Sequence, residues 1–437
     1  PTDMKRTDKT IILLAIALAA CFTQYISAQN GSWLGNLELG GNTLTLVFHL
    51  NGDSCTMDSP DQNAKGIKVI RNKSMAPFVS LEVPSIGASF KGAYMGKQIA
   101  GTFTQQGYEF PLTLKPGELK RNRPQTPKDP FPYSCEEVSF TNEGITLNGT
   151  LSLPEGYTKD TPVFLMVTGS GLQNRDEEIF EHKPFAVIAD LLARNGIATL
   201  RYDDRGYGSK TANIMMTTTQ TAKSDAQAGI DLLRKRFNKV GIIGHSEGGT
   251  IAMMLAAEQE IDMAISLAGM AISGKETLLY QNENSLKQMG YSNEVIAKYM
   301  KIIGDIFDQI IADKDPVISE TSTLPKELIA NIQQSLPALK TPYIKELLKL
   351  DISAELPKIK CPLLAINGTK DVQVNYKKNL SIIESGVKSP KTCVHPFEGL
   401  NHLFQHCKTG AVTEYKEIEE TISEDVLNKI LHWIKSL

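Results

Sequence analysis

The run Val240-Gly241-Ile242-Ile243-Gly244-His245-Ser246-Glu247-Gly248-Gly249-Thr250-Ile251-Ala252 sets the architecture of most of this chain. An apolar segment meets a Gly-x-Ser-x-Gly turn and passes into an Ala- and Met-rich stretch, which reads as strand, sharp turn and helix. Gly244 and Gly248 leave the room so tight a turn needs. Ser246 is pushed up at its apex, where a helix N-terminus favours developing negative charge. It is the candidate nucleophile. With 33 glycines in 437 residues the pentapeptide alone arises readily by chance, so its weight comes from context. Val240 to Ile243 has a buried-strand pattern, and Thr250 to Ala257 is a helix former leading straight out of the turn.

At 437 residues, 41% hydrophobic and 22% charged, the chain is long enough for two or three domains and has a soluble globular balance. The net charge of −3 points to no special partner. No basic patch is interleaved with aromatics, no Cys/His spacing suits zinc, and no Gly-x-x-x-x-Gly-Lys cradles phosphate. Nucleic acid, structural metal and nucleotide are therefore disfavoured, no cofactor is expected, and the chemistry must come from side chains.

Lys5, Arg6 and Lys9 precede the apolar run Ile11 to Ala20, and Ile26-Ser27-Ala28 stands before Gln29. That layout predicts an export signal over 1–28 with cleavage after Ala28, and a periplasmic or extracellular protein. A competing reading takes Leu18-Ala19-Ala20-Cys21 as a bacterial lipobox, in which a lipidated Cys21 anchors the chain to a membrane surface. Cys55, Cys135, Cys361, Cys393 and Cys407 remain, an odd and scattered set that makes no disulfide framework. Cys393 and Cys407 have the option of pairing, whereas Cys361 and Cys393 lie in apolar strand patterns and are expected as buried free thiols.

Short alternating runs recur from Gly31 to Leu114, among them Leu44, Leu46, Phe48 and Leu50, and turn residues separate them. A small antiparallel β domain, a meander or barrel, is predicted over 29–114. Residues 115–135 hold Pro116, Pro124, Pro127, Pro130 and Pro132 among charges and read as an extended linker. Over 136–437 apolar strands alternate with helical segments, the signature of a mostly parallel sheet covered on both faces. Strands are predicted at Ile145 to Leu153, Val163 to Val167, Ile197 to Tyr202, Val240 to Ile243, Met263 to Leu267, Leu363 to Ile366 and Cys393 to Phe397. The clearest helices are Phe185 to Arg194 and Asp225 to Phe237. Between Gly274 and Leu350 the strands stop and apolar residues recur at Ile296, Met300, Ile303, Phe307 and Ile310. This is an inserted helical cap at the sheet edge where sites in such folds lie, and its stripe is a candidate substrate wall as well as ordinary core.

A serine needs a base to take its proton, and the base needs an acid to hold its tautomer. His402 lies in the Gly-containing loop after the last strand, with His406 as the near rival. His245 is expected to pack against the sheet. The acid is expected after the preceding strand, where Asp371 follows the turn Asn367-Gly368-Thr369-Lys370. Ser246, Asp371 and His402 thus follow one another along the chain, each at a strand's end.

Thr168-Gly169-Ser170-Gly171, Asp203-Asp204-Arg205-Gly206-Tyr207-Gly208-Ser209, the Ser246 turn, Gly368-Thr369-Lys370-Asp371 and Asn401-His402 together resemble an α/β-hydrolase. They are most similar to bacterial carboxylesterases with an N-terminal extension, neighbours of serine aminopeptidases and prolyl oligopeptidases. The resemblance spans Glu136 to Leu437 and implies an α/β fold with Ser246, Asp371 and His402 as triad. It also implies an oxyanion hole made by the backbone N–H groups of Glu247 and of Ser170 or Gly171. Thr168 stands where many relatives have histidine. The function expected is hydrolysis of a small carboxylic ester through a Ser246 acyl-enzyme. A serine peptidase of aminopeptidase or acylaminoacyl type is the second reading, and a binding protein on an inactive hydrolase scaffold the third. A haloalkane dehalogenase of similar fold requires Asp at position 246.

Overall fold

The computed structural model describes residues 30–437 apart from 40–41, 53, 63, 76, 209–216 and 319–323. The segment read as an export signal, with Cys21, and Ser209 of the motif beginning at Asp203, lie outside the described residues. Two compact units divide the chain between Asn122 and Arg123.

In the first unit, strands β1 (Gly31–Leu39), β2 (Asn42–Leu50), β3 (Cys55–Ser59), β4 (Ala64–Asn72), β5 (Phe78–Val83), β6 (Ala88–Tyr94), β7 (Ile99–Gln105) and β8 (Tyr108–Pro116) form a closed barrel in sequence order. Antiparallel pairing of Trp33 with Pro116 and of Leu34 with Lys115 shuts the ring. Closure leaves no strand edge to pair with another chain. Period-two alternation turns Trp33, Leu46, Phe48, Leu50, Leu81, Phe90, Phe103 and Leu114 into one core. At Gly101 a Cβ would strike the Lys91 backbone, so only glycine lets β6 and β7 run this close.

The second unit is built on β9 (Ser134–Asn142), β10 (Ile145–Leu153), β11 (Val163–Val167), β12 (Ala198–Tyr202), β13 (Val240–His245), β14 (Met263–Leu267), β15 (Leu363–Gly368) and β16 (Thr392–Phe397). Their order across the sheet is β16-β15-β14-β13-β11-β12-β10-β9. Pairing is parallel from β12 through β11 to β16 and antiparallel at the β12-β10-β9 edge. The helices are α1 (Pro184–Arg194), α2 (Thr219–Arg234), α3 (Glu247–Ala257), the cap helices α4 (Gly274–Gln288), α5 (Asn293–Ile311), α6 (Lys326–Leu339) and α7 (Pro342–Lys349), then α8 (Tyr376–Gly386) and α9 (Glu424–Lys435). One face of the sheet packs on α2, α3 and α8 through Ile230, Ile251 and Ile383. The other packs on α1 and α9 through Phe185, Ile188 and Ile430. This is the α/β-hydrolase arrangement, preceded by a small β domain.

Four local readings change. β9 carries mostly polar residues, with Phe140 its one fully buried side chain, so apolar periodicity gives no sign of it. Helix α2 starts before Asp225 because Thr218 caps it, accepting a hydrogen bond from the Thr221 N–H. In the cap, Ile296, Ile303, Phe307 and Ile310 pack against Leu328, Ile332 and Leu348, with Met300 half-buried beside them. The stripe is the cap's own core and not a substrate wall. Cys361 and Cys393 are half-buried free thiols, less enclosed than expected, and Cys407 is also free.

The unit boundary falls inside the proline-rich segment, and residues just beyond it are anchored to the second unit. The Arg123 guanidinium donates to the carbonyls of Phe180, Lys416 and Ile418. Gln125 exchanges hydrogen bonds with the backbone at Thr421 and Ile422. A chain beginning at Arg123 is therefore expected to melt cooperatively and to keep small-ester turnover within about tenfold of full length. One beginning at Glu136 loses the hydrogen bonds that Arg123 and Gln125 make to six carbonyl and N–H groups and removes the start of β9. It should melt several degrees lower, since each unmade buried bond costs roughly 1–3 kcal/mol. Equal melting temperatures by calorimetry would remove the anchoring role.

Candidate active site

At the C-terminal end of β13 the chain turns through Ser246 with φ 54° and ψ −118°, a conformation L-residues rarely adopt. The turn survives because its neighbours are small. A Cβ on Gly244 would collide with the Gly248 carbonyl, and one on Gly248 with the Val167 carbonyl. Ser246 caps α3 with its backbone alone, and its hydroxyl makes no capping bond. Both it and His402 line one cleft of about 360 Å³.

His402 Nδ1 lies 2.7 Å from Asp371 Oδ2. Asp371 is fully buried, and its other oxygen accepts from the N–H groups of Gln373 and Val374 at 2.7 and 2.8 Å. Three hydrogen-bond partners on one carboxylate hold it rigid. The cap closes over this loop: the Tyr280 hydroxyl donates to the Asp371 carbonyl and the Asn284 amide to that of Val372. His406 stands apart, exposed and bound to Glu420.

The loop after β11 supplies the remaining edge of the cleft through Gly169 and Ser170, and Gly171 follows with φ 100°. The Gly169 N–H is already engaged by Glu177 at 2.7 Å. Thr168 donates to Asp204 at 2.8 Å, and that carboxylate also accepts from the Gln173 N–H. Burial raises the Asp204 carboxyl to about 7, against these two hydrogen bonds and with the Glu177 and Glu247 carboxylates adding to the rise.

Glu247, the first residue of α3, keeps its N–H outside the helical ladder, as every helix start does. Its buried carboxylate accepts from the hydroxyls of Thr219 at 2.5 Å and of Tyr343 in α7 at 2.6 Å. Beyond these, α4 and α7 line the cleft with Leu278, Gln281, Ile344 and Leu347.

His245 does not simply pack against the sheet. Its ring contacts Glu177 through one nitrogen and the His402 carbonyl through the other, each at 2.9 Å. Sequence reading misses Glu177, His245 and Tyr343 as parts of the site. Glu177 sits in a run of charged residues with nothing local to single it out, and Tyr343 in a cap helix remote along the chain.

The profile of the family described as serine aminopeptidase, S33, matches residues 181–406, just over half of the chain and a span that holds Ser246, Asp371 and His402. The chain belongs to this family. Among curated proteins this S33 family member is similar to esterase EstD of Thermotoga maritima, 26% identical over 312 residues and covering 70% of each chain. Among solved structures it is similar to an esterase of Pyrococcus furiosus, with TM-score 0.44, 15% identity, and coverage of 73% of this chain and 99% of that one. Est1E from Butyrivibrio proteoclasticus gives TM-score 0.39 and 16% identity, covering 68% and 99% respectively.

Proposed function

We propose that this serine hydrolase cleaves carboxylic esters of uncharged acids through an acyl-enzyme on Ser246. The observation that carries the reading is the meeting, on one cleft, of a strained serine and a histidine whose Nδ1 is held 2.7 Å from a buried aspartate. With Nδ1 engaged, Nε2 of His402 is the atom that takes the Ser246 proton as Oγ attacks the ester carbonyl. The oxyanion is received by the N–H of Glu247 at the α3 N-terminus and by that of Ser170 or Gly171. His402 then returns the proton to the departing alkoxide. Water, deprotonated by the same histidine, releases the acid and regenerates the serine.

The family name raises aminopeptidase activity as a second reading. An α-ammonium group needs a carboxylate oxygen that is both unengaged and open to the cleft, and neither carboxylate lining the described cleft offers one, since Glu177 Oε2, which lacks a partner, is buried. Glu177 bonds Gly169 and His245, and Glu247 bonds Thr219 and Tyr343. No Lys or Arg is among the described lining residues to hold a free carboxylate. Neutral esters suit such a cleft best. The test is a panel of nitrophenyl esters of graded chain length beside aminoacyl nitroanilides, with Ser246→Ala as blank. Ester turnover that exceeds nitroanilide turnover supports the reading, and the reverse order overturns it.

Chain-length preference is expected to follow the cap residues that face the cleft. Leu278→Ala should shift the ratio of kcat/KM between medium and short esters by about tenfold, since one methylene in an apolar wall is worth roughly 1–3 kcal/mol. Phe307→Ala should leave the ratio alone and lower stability by about 3–5 kcal/mol, because Phe307 is buried in the cap core. Steady-state kinetics beside thermal melts separates the two effects.

A further inference from the structure

His245 and Glu177 have no step in the mechanism above, yet both border the cleft and both are buried. The two ring nitrogens of His245 face acceptors only. Nδ1 lies 2.9 Å from Glu177 Oε1, and Nε2 lies 2.9 Å from the His402 carbonyl oxygen. A carbonyl accepts and never donates, so Nε2 carries a proton. Glu177 Oε1 is already turned toward a donor, the Gly169 N–H at 2.7 Å, so the proton between it and the imidazole belongs to Nδ1. A ring with both nitrogens protonated is an imidazolium.

This pair ties together three segments that the acyl transfer must hold in register. Glu177 grips the loop after β11, His245 is the residue before Ser246, and the His402 carbonyl belongs to the loop of the base. The His245 and His402 rings lie 4.7 Å apart, centroid to centroid. Glu177 keeps a positive φ of 52°, and its second carboxylate oxygen is buried without a partner. Both features cost free energy that a merely structural contact has no reason to retain.

We propose that His245 and Glu177 form a charged strut, an imidazolium on a carboxylate, that positions the oxyanion loop and the His402 loop around Ser246. They are positioning residues, and the proposal rests on the reading of Ser246 as nucleophile. Burial alone would push the His245 imidazole down; the Glu177 charge and its hydrogen bond, the His402 carbonyl and the more distant Asp371 carboxylate outweigh that and leave it raised. A raised value in the folded state places the strut's stabilisation below the free imidazole range, and that stabilisation is lost as pH rises through the folded value.

The test uses the full chain. In protein labelled with nitrogen-15 at histidine, long-range proton–nitrogen spectra at pH 7.5 should show one ring with both nitrogens protonated, where a free imidazole of pKa about 6.5 is mostly neutral. That signal should vanish in His245→Gln and become a neutral ring in Glu177→Gln. Because both loops act on the transition state more than on bound ester, each variant should lose roughly ten- to a hundredfold in kcat with KM within about twofold. The melting-temperature gap between wild type and His245→Gln should narrow at alkaline pH. A singly protonated His245 in the wild-type spectrum overturns the proposal whether or not the variants fold. Folded variants with unchanged kcat overturn it equally. Full turnover by Ser246→Ala would instead sink the nucleophile, while the spectrum still decides the protonation of the strut.

Discussion

Replacing Ser246 by alanine is expected to lower kcat for a nitrophenyl ester by about 10⁴- to 10⁶-fold while leaving the melting temperature nearly unchanged. The hydroxyl makes no capping bond, so its loss removes no helix cap and no core volume. Ser246→Gly should be equally inactive and more stable by about 1 kcal/mol, because glycine relieves the strain at φ 54° and recovers more than its added chain entropy costs. A fluorophosphonate probe should label the wild type and miss both variants. Labelling that persists elsewhere would move the nucleophile to another serine. A wild-type protein that neither turns over nor labels would be the inactive scaffold.

His402→Ala is expected to lose a comparable factor, and Asp371→Asn about 10⁴-fold, for a reason visible at the carboxylate. Asn keeps the oxygen that accepts from Gln373 and Val374, so the loop stays in place. Its amide, however, presents a donor to His402 Nδ1 where the carboxylate accepts, and that favours the tautomer whose Nε2 already bears a proton. Such a base has no lone pair for Ser246. His406→Ala should stay within about twofold of wild type, since that ring is exposed on Glu420. A folded Asp371→Asn protein of near-normal kcat would transfer the acid's role to another residue.

The elbow was legible in the chain because its determinants are local: Gly244, Ser246 and Gly248 are neighbours, and the close approach that demands glycine is made within the turn and to the adjacent β11. Asp371 and His402 were legible because a parallel sheet brings the ends of successive strands to one edge, so order along the chain translates into place. Periodicity also marked the cap helix carrying Phe307. It told that one face is buried and could not tell against what, and the stripe proved to be the cap's own core while Leu278 and Leu347 face the cleft. Strand β9 was hidden because an edge strand with polar side chains on most positions lacks the apolar alternation by which strands are read.

The strut and the Tyr343 contact were beyond the reach of sequence altogether. Glu177 meets His245 across 68 positions and Tyr343 meets Glu247 across 96. In the sequence each is an ordinary polar residue. What makes them part of the site is burial beside an acceptor or donor that only the folded sheet and cap bring within 3 Å, where an unpaired polar group is costly and a paired one fixes its surroundings. Local spacing therefore determined the turn that carries Ser246 and the order in which Asp371 and His402 follow it. Tertiary packing decided which side chains bond to them and which cap residues line the cleft.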